Sequence, residues 1–338
     1  MYELVRPLLF RLEPEQAHHA SLRALALLGR SPLAVAAVRR ALTPPPAPVR
    51  VMGLDFAHPV GLAAGYDKDA VALHGVAALG MSHVEVGTVT LRPQAGNPAP
   101  RIFRLPEDRA LINRLGFPSA GADVVAARLA SKRPAGLVVG VNIGKNKETP
   151  LSEAPDEYAA LVDRFGPLAD YLVINVSSPN TVGLRRLQAR DALEKVLGAA
   201  CARRAALSRR VPLLVKLSPD LDEQALDDAL GATLDAGLDG VVVTNTTISR
   251  EGLRPSPVTA ETGGLSGAPL RQRATEMVRA VAGRVGDKLV IIGVGGIMRA
   301  EDVRARLDAG ASLVQVYTGL IYAGPTFAQR LVRGLAAR

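Results

Sequence analysis

Apolar residues recur at helical spacing from the start of the chain. Leu4, Val5, Leu8, Leu9 and Leu12 form one stripe, and Ala17, Leu22, Leu25 and Leu28 form a second after Pro14. Arg6, Arg11, Arg23 and Arg30 edge these faces. Residues 1–42 are therefore expected to form a small N-terminal helical extension. The run Thr43-Pro44-Pro45-Pro46-Ala47-Pro48 cannot continue a helix, because proline lacks the N–H a helix needs. It predicts a stiff linker over 43–48.

Over 49–338 the pattern changes. Short β-rich apolar runs are expected to be strands at 59–63, 83–87, 137–141, 171–175, 212–216, 240–244, 289–294 and 312–317. Amphipathic stretches follow them at 69–80, 119–131, 155–169, 191–208, 221–236, 269–285, 300–309 and 325–337. Eight strand-then-helix units predict an α/β fold, a (β/α)8 TIM barrel. An open doubly wound sheet is the alternative. It usually has fewer strands and an early glycine-rich turn, and no such turn follows Pro59–Ala63.

Composition narrows the function. With 338 residues and 48% hydrophobic content, a large core can be buried. The single cysteine, Cys201, excludes an internal disulfide and reads as helix packing. The net charge of +9 comes from scattered arginines, with 4% aromatic residues and no tryptophan, so no nucleic-acid partner is expected. Attraction to an anionic substrate or membrane face fits better, although most of these arginines read as solvated helix faces. No apolar run approaches the roughly 20 residues that span a bilayer. No secretory signal is expected, and Glu3, Glu13 and Glu15 argue against a transit peptide.

Barrel enzymes place their chemistry where strands end. Gly295-Gly296 and Thr318-Gly319 follow the last two strands and can offer N–H groups to a phosphate, or can simply be tight turns. Lys68 and Lys216 sit at strand ends, where a cation suits an anionic ligand; an ion pair with an acid such as Asp67 is the alternative. Asn113, Asn142, Asn175, Asn180 and Asn245 each offer a donor and an acceptor, which suits a ring with alternating N–H and C=O groups. Any single one could be a turn residue. The histidines lack metal-ligand spacing, so no metal is expected, and no nucleophile elbow is present.

These exits resemble the dihydroorotate dehydrogenase family. The matching segments are Gly61-Leu62-Ala63-Ala64-Gly65-Tyr66-Asp67-Lys68, Ile112-Asn113-Arg114-Leu115-Gly116-Phe117, Val141-Asn142-Ile143-Gly144-Lys145-Asn146 and Asn175-Val176-Ser177-Ser178-Pro179-Asn180-Thr181. Others are Lys216-Leu217-Ser218-Pro219-Asp220, Thr244-Asn245-Thr246-Thr247, Gly263-Gly264-Leu265-Ser266-Gly267 and Val316-Tyr317-Thr318-Gly319. Ser178 and the helical extension resemble the membrane-associated, quinone-using class. Tyr66 and Pro118-Ser119 depart from the family pattern and put local loop shape in question.

The resemblance implies oxidation of dihydroorotate to orotate, FMN as cofactor and a ubiquinone-type quinone as acceptor. Ser178 would be the catalytic base. Lys68, Asn113, Arg114, Leu115, Gly116, Phe117, Asn175, Asn180, Asn245 and Thr246 would bind substrate. Ala64, Gly65, Tyr66, Asp67, Lys68, Thr88, Asn142, Asn175, Lys216, Thr244, Gly267, Gly296, Tyr317 and Thr318 would bind FMN. His18 and Arg101 would stand near the quinone head. The expected setting is a monomer held peripherally at the cytoplasmic side of a bacterial inner membrane. The 1–42 helices would form the membrane and quinone entrance; capping the barrel bottom is their other possible role. A flavin-free phosphate-binding barrel and a non-catalytic surface-binding barrel are the competing functions.

Overall fold

The structure is a computed structural model that describes residues 2–131 and 133–336. The outer ends of the 1–42 and 49–338 segments, and of the 325–337 helix, lie outside the described residues. The strands are β1 (Val49–Val51), β2 (Leu54–Phe56), β3 (Val60–Leu62), β4 (His83–Val89), β5 (Ile102–Leu105), β6 (Ala110–Asn113) and β7 (Val138–Ile143). They continue as β8 (Tyr171–Asn175), β9 (Leu213–Leu217), β10 (Gly240–Val243), β11 (Gly264–Gly267), β12 (Val290–Val294) and β13 (Leu313–Val316). Eight of them close a parallel barrel in the order β3-β4-β7-β8-β9-β10-β12-β13. Each lies within two residues of its expected boundary. These strands are apolar on both faces because side chains fill the barrel on one side and helices cover the other. In β8, for example, every residue is buried.

The helices are α1 (Tyr2–Leu9), α2 (Pro14–Gly29), α3 (Pro32–Leu42), α4 (Leu73–Ala78), α5 (Ala122–Leu129) and α6 (Ala154–Phe165). Then come α7 (Arg190–Ala205), α8 (Glu223–Asp235), α9 (Arg271–Val285), α10 (Ala300–Asp308), α11 (Thr318–Ala323) and α12 (Phe327–Ala336). The helix expected at 69–80 is shorter, because the Asp67 carboxylate accepts from the Val71 and Ala72 N–H groups and holds the preceding residues as a loop.

Three features differ from expectation. The extension breaks at Ser31-Pro32, where the Ser31 hydroxyl caps a third helix. The β1–β2 hairpin covers the lower end of the barrel, packing Phe56 among Val138, Tyr171, Leu214 and Leu313. The N-terminal helices do not cover that end. They lie along the side instead, α2 on α4 at Gly75, where any Cβ would collide with the Leu25 backbone. Finally, β5, β6 and β11 form an antiparallel sheet that brings Asn113 opposite Gly264. Strands of three or four residues carry too little periodicity to stand out from loops.

Candidate active site

A cleft of about 1130 Å³, counted to its open mouth, occupies the C-terminal end of the barrel. Among its lining residues are Ala64, Gly65, Lys68, Thr88, Asn175, Ser178, Lys216, Thr244, Gly267, Gly296, Tyr317 and Thr318. Asn113, Leu115, Gly116, Phe117, Asn180, Asn245 and Thr246 line it too. They come from seven of the eight barrel-strand exits and from the antiparallel sheet, β7 contributing none, so burial of the barrel core is what brings them together.

One end of the cleft is built from backbone. The N–H groups of Gly296, Thr318 and Gly319 donate to no acceptor among the described residues. Gly296 is buried at φ +73°, and a Cβ there would collide with the Arg271 backbone. Buried N–H groups left unpaired in the protein call for an acceptor from a ligand.

The floor is polar. Asn175 donates to Thr88 Oγ1 at 2.9 Å and to Asn142 Oδ1 at 3.1 Å, and Asn142 donates to the buried Glu85 carboxylate at 2.7 Å. Gln315 donates to the other Glu85 oxygen at 2.8 Å. Asn142 therefore lies beneath the cleft wall and orients Asn175 and Thr88. Glu85 and Gln315 were not foreseen; an acid inside an apolar strand, Val84-Glu85-Val86, was the available signal. Lys216 is buried, lines the cleft and has no hydrogen-bond partner among the described residues. Burial pulls its ammonium below the ordinary lysine range, and the Glu85 charge opposes that.

Above the floor, Asn245 donates to Ser177 Oγ at 2.9 Å, and Asn180 donates to Asn113 Oδ1 at 3.2 Å. Ser178 is buried, and its Oγ accepts from the Asn180 N–H at 3.2 Å. The Thr181 hydroxyl is buried without a partner. Arg185 clamps this wall by donating to Ser177 O, Asp220 and Thr246 O. Asp220 also accepts from Thr247 and Ile248. Arg185 gave no sequence signal, because one arginine among many scattered ones is not distinctive.

Lys68 donates to Gly65 O at 2.7 Å and forms no ion pair with Asp67, which is committed to its loop. Lys68 lines the cleft, and desolvation lowers its pKa to about 8 against the opposing charges of Asp69 and Glu15. Several expected residues face elsewhere. Arg114 pairs with Glu261 at 2.5 Å and stacks on Phe103. Tyr66 turns away from the cleft; its hydroxyl meets Ser21 Oγ at 3.1 Å and its ring lies edge-on to His18 and Tyr317. Ser119, in the other unusual pair, ties its loop by accepting hydrogen bonds from the Thr90 and Gly121 N–H groups.

A second cavity, of about 1400 Å³ counted to its mouth, separates the N-terminal helices from the barrel. Ala17, Ala20, Ser21 and Ala24 line it from one face of α2, and Leu9, Phe10, Leu320 and Ile321 extend it. Ile102, Leu111 and Tyr317 line both cavities, so they form a shared wall. His18 lines the second cavity; burial lowers its pKa to about 3, which leaves a neutral imidazole. Arg101 does not line it. Its guanidinium is bound to Glu15, Ala95 O and Asn97 O. Arg104 lines the cavity instead.

The chain matches the family described as dihydroorotate dehydrogenase over residues 47–338. It is 53% identical to the dihydroorotate dehydrogenase (quinone) of Anaeromyxobacter dehalogenans strain 2CP-1, over 99% of this chain and 92% of that one. It is 51% identical to the protein of the same name from Streptomyces coelicolor, over 100% and 94%. A ligand-free dihydroorotate dehydrogenase structure from Eimeria tenella superposes with a TM-score of 0.86 at 44% identity, covering 94% of this chain and 93% of that one.

Proposed function

This chain belongs to the dihydroorotate dehydrogenase family, and on that premise we propose that it oxidises (S)-dihydroorotate to orotate in pyrimidine biosynthesis. FMN is the hydride acceptor and a membrane quinone the final electron acceptor. The observation that carries this reading is the pair of cavities, one polar and one apolar, meeting at the wall of Ile102, Leu111 and Tyr317. Two chambers of opposite polarity let a polar reductant and an apolar oxidant approach one cofactor from separate sides.

The residues fit FMN. The unpaired N–H groups of Gly296, Thr318 and Gly319 suit its phosphate, and the unpartnered Lys216 suits its ring. When bound, FMN accepts a hydride from substrate and passes the electrons to quinone. The chain's own residues do the rest. Ser178 takes the proton from C5 as the C5–C6 double bond forms and its own hydroxyl proton is released, and the Asn180 N–H steadies the partial negative charge on its oxygen as that proton leaves. Asn113, Asn180, Asn245 and Thr246 hold the pyrimidine ring, and Lys68 faces its carboxylate. No carboxylate or imidazole bonds to Ser178 among the described residues, so its own proton must pass to a relay, either the nearby Thr181 hydroxyl, which has no partner among the described residues, or water leading to bulk.

Outside the cavities, Leu4, Leu8, Leu27 and Leu33 are each 60–85% exposed on the N-terminal helices. Among the described residues no single helix is long and apolar enough to cross a membrane; α2 and α3 pass that test only as a pair bent by 110°. The chain rests in the interface plane of the membrane as a monomer, at the cytoplasmic face of a bacterial inner membrane.

The test is an absorbance spectrum of the purified protein with FMN. Anaerobic dihydroorotate should bleach the flavin bands, and a quinone should restore them. A flavin that binds but is never reduced by dihydroorotate overturns the reading. Substrate affinity should also depend on pH. The Lys68 ammonium persists below about 8 and is lost above it. The dissociation constant is therefore expected to be flat on the acid side and to climb on the alkaline side, approaching tenfold per pH unit. Binding titrations at stepped pH check this, and Lys68→Met should remove the inflection.

A further inference from the structure

Beneath the Gly295–Gly296 turn lies a buried charge with no part in the chemistry above. Arg306, on α10, is fully buried. Its Nη2 donates to Gly295 O at 2.7 Å and, more weakly, to Arg271 O at 3.4 Å. Its Nε and Nη1 have no partner in the described residues. The nearby Asp302 carboxylate is bound to the Met298 and Arg299 N–H groups and to the Arg271 guanidinium. Asp302 is thus a counter-charge for Arg306 that it reaches without a hydrogen bond, and it is shared with Arg271. A buried guanidinium with unpaired donors is costly, and the geometry around it shows what it gains.

A trans peptide points its carbonyl and its N–H in opposite directions. Arg306 holds the Gly295 carbonyl downward, so the Gly296 N–H of the same peptide points up into the cleft, where it has no protein acceptor. We propose that Arg306 is a positioning residue for the cofactor phosphate. From below it aims the Gly296 N–H and supplies a positive charge that the phosphate feels across one peptide without touching it. Charge interactions are strong over such distances where water is excluded. This inference rests on the FMN reading.

Riboflavin, which lacks the phosphate, separates this role from general support of the fold. FMN and riboflavin would each be titrated into the apoprotein by quenching of flavin fluorescence. Arg306→Gln should raise the FMN dissociation constant at least about tenfold and move riboflavin by no more than about twofold. Arg306→Lys should restore most of the FMN preference. Asp302→Asn removes the counter-charge and should act in the opposite direction, tightening FMN relative to riboflavin; it decides the matter if Arg306→Gln does not fold. Parallel loss of both flavins in Arg306→Gln, or an unchanged or lowered preference in Asp302→Asn, overturns the proposal. Wild-type protein with no preference for FMN over riboflavin sinks the FMN reading itself, whereas a wild-type preference untouched by these variants sinks only Arg306.

Discussion

Replacing Ser178 by alanine is expected to leave FMN bound and to slow flavin reduction by dihydroorotate roughly 10²–10⁴-fold. Ser178 lines the cleft, but among the described residues the only hydrogen bond of its side chain is the one its oxygen accepts from the Asn180 N–H. Removing the hydroxyl frees that single donor and touches none of the groups assigned to the flavin. The loss should thus fall on proton removal from C5. Stopped-flow absorbance of the reductive half-reaction, with FMN content measured in parallel, separates the effects. Reduction near the wild-type rate at neutral pH removes Ser178 as the base; loss of flavin shows instead that the loop is structural. A serine without a neighbouring base should also make reduction faster as pH rises, because hydroxide helps to carry the proton away.

The second large effect is expected on the other half-reaction. Ala17, Ala20, Ser21 and Ala24 lie at helical spacing, and their small side chains leave the second cavity open. Ala17→Phe fills that space beside His18. Reoxidation by a long-tailed quinone should fall at least about tenfold, while anaerobic reduction by dihydroorotate stays unchanged, because the Ser178 cleft lies beyond the Ile102–Leu111–Tyr317 wall. Measuring both half-reactions on the same preparation checks the division. If quinone turnover persists at full rate, electrons leave by another route. If both half-reactions slow together, the wall does not insulate the two chambers.

The barrel strands were readable because their signal is local. Tyr171–Asn175 has five consecutive buried residues, and its observed bounds equal the expected ones. A run that must be apolar on both faces stands out without any knowledge of its neighbours. The rim residues followed, since each strand exit is named by the strand before it. Lys216, Asn175, Thr244 and Gly296 reach the cleft for that reason.

Side-chain direction and long-range pairing were decided only by the tertiary structure. Asp67 and Lys68 are adjacent, yet one is consumed by its own loop and the other faces the cleft. Arg114 adjoins Asn113 but is drawn outward by Glu261, which lies far along the chain. Arg101, which the resemblance places near the quinone, is captured by Glu15 on α2, and Arg104 lines the second cavity. An apolar entrance at the 1–42 helices was expected, but the walls of the second cavity were set by packing. That cavity is the gap left where small residues of α2 face Tyr66, Tyr317 and Ile321. Each of these outcomes depends on a partner from another element. Pattern along the chain specifies which face of an element is buried; only packing specifies against what.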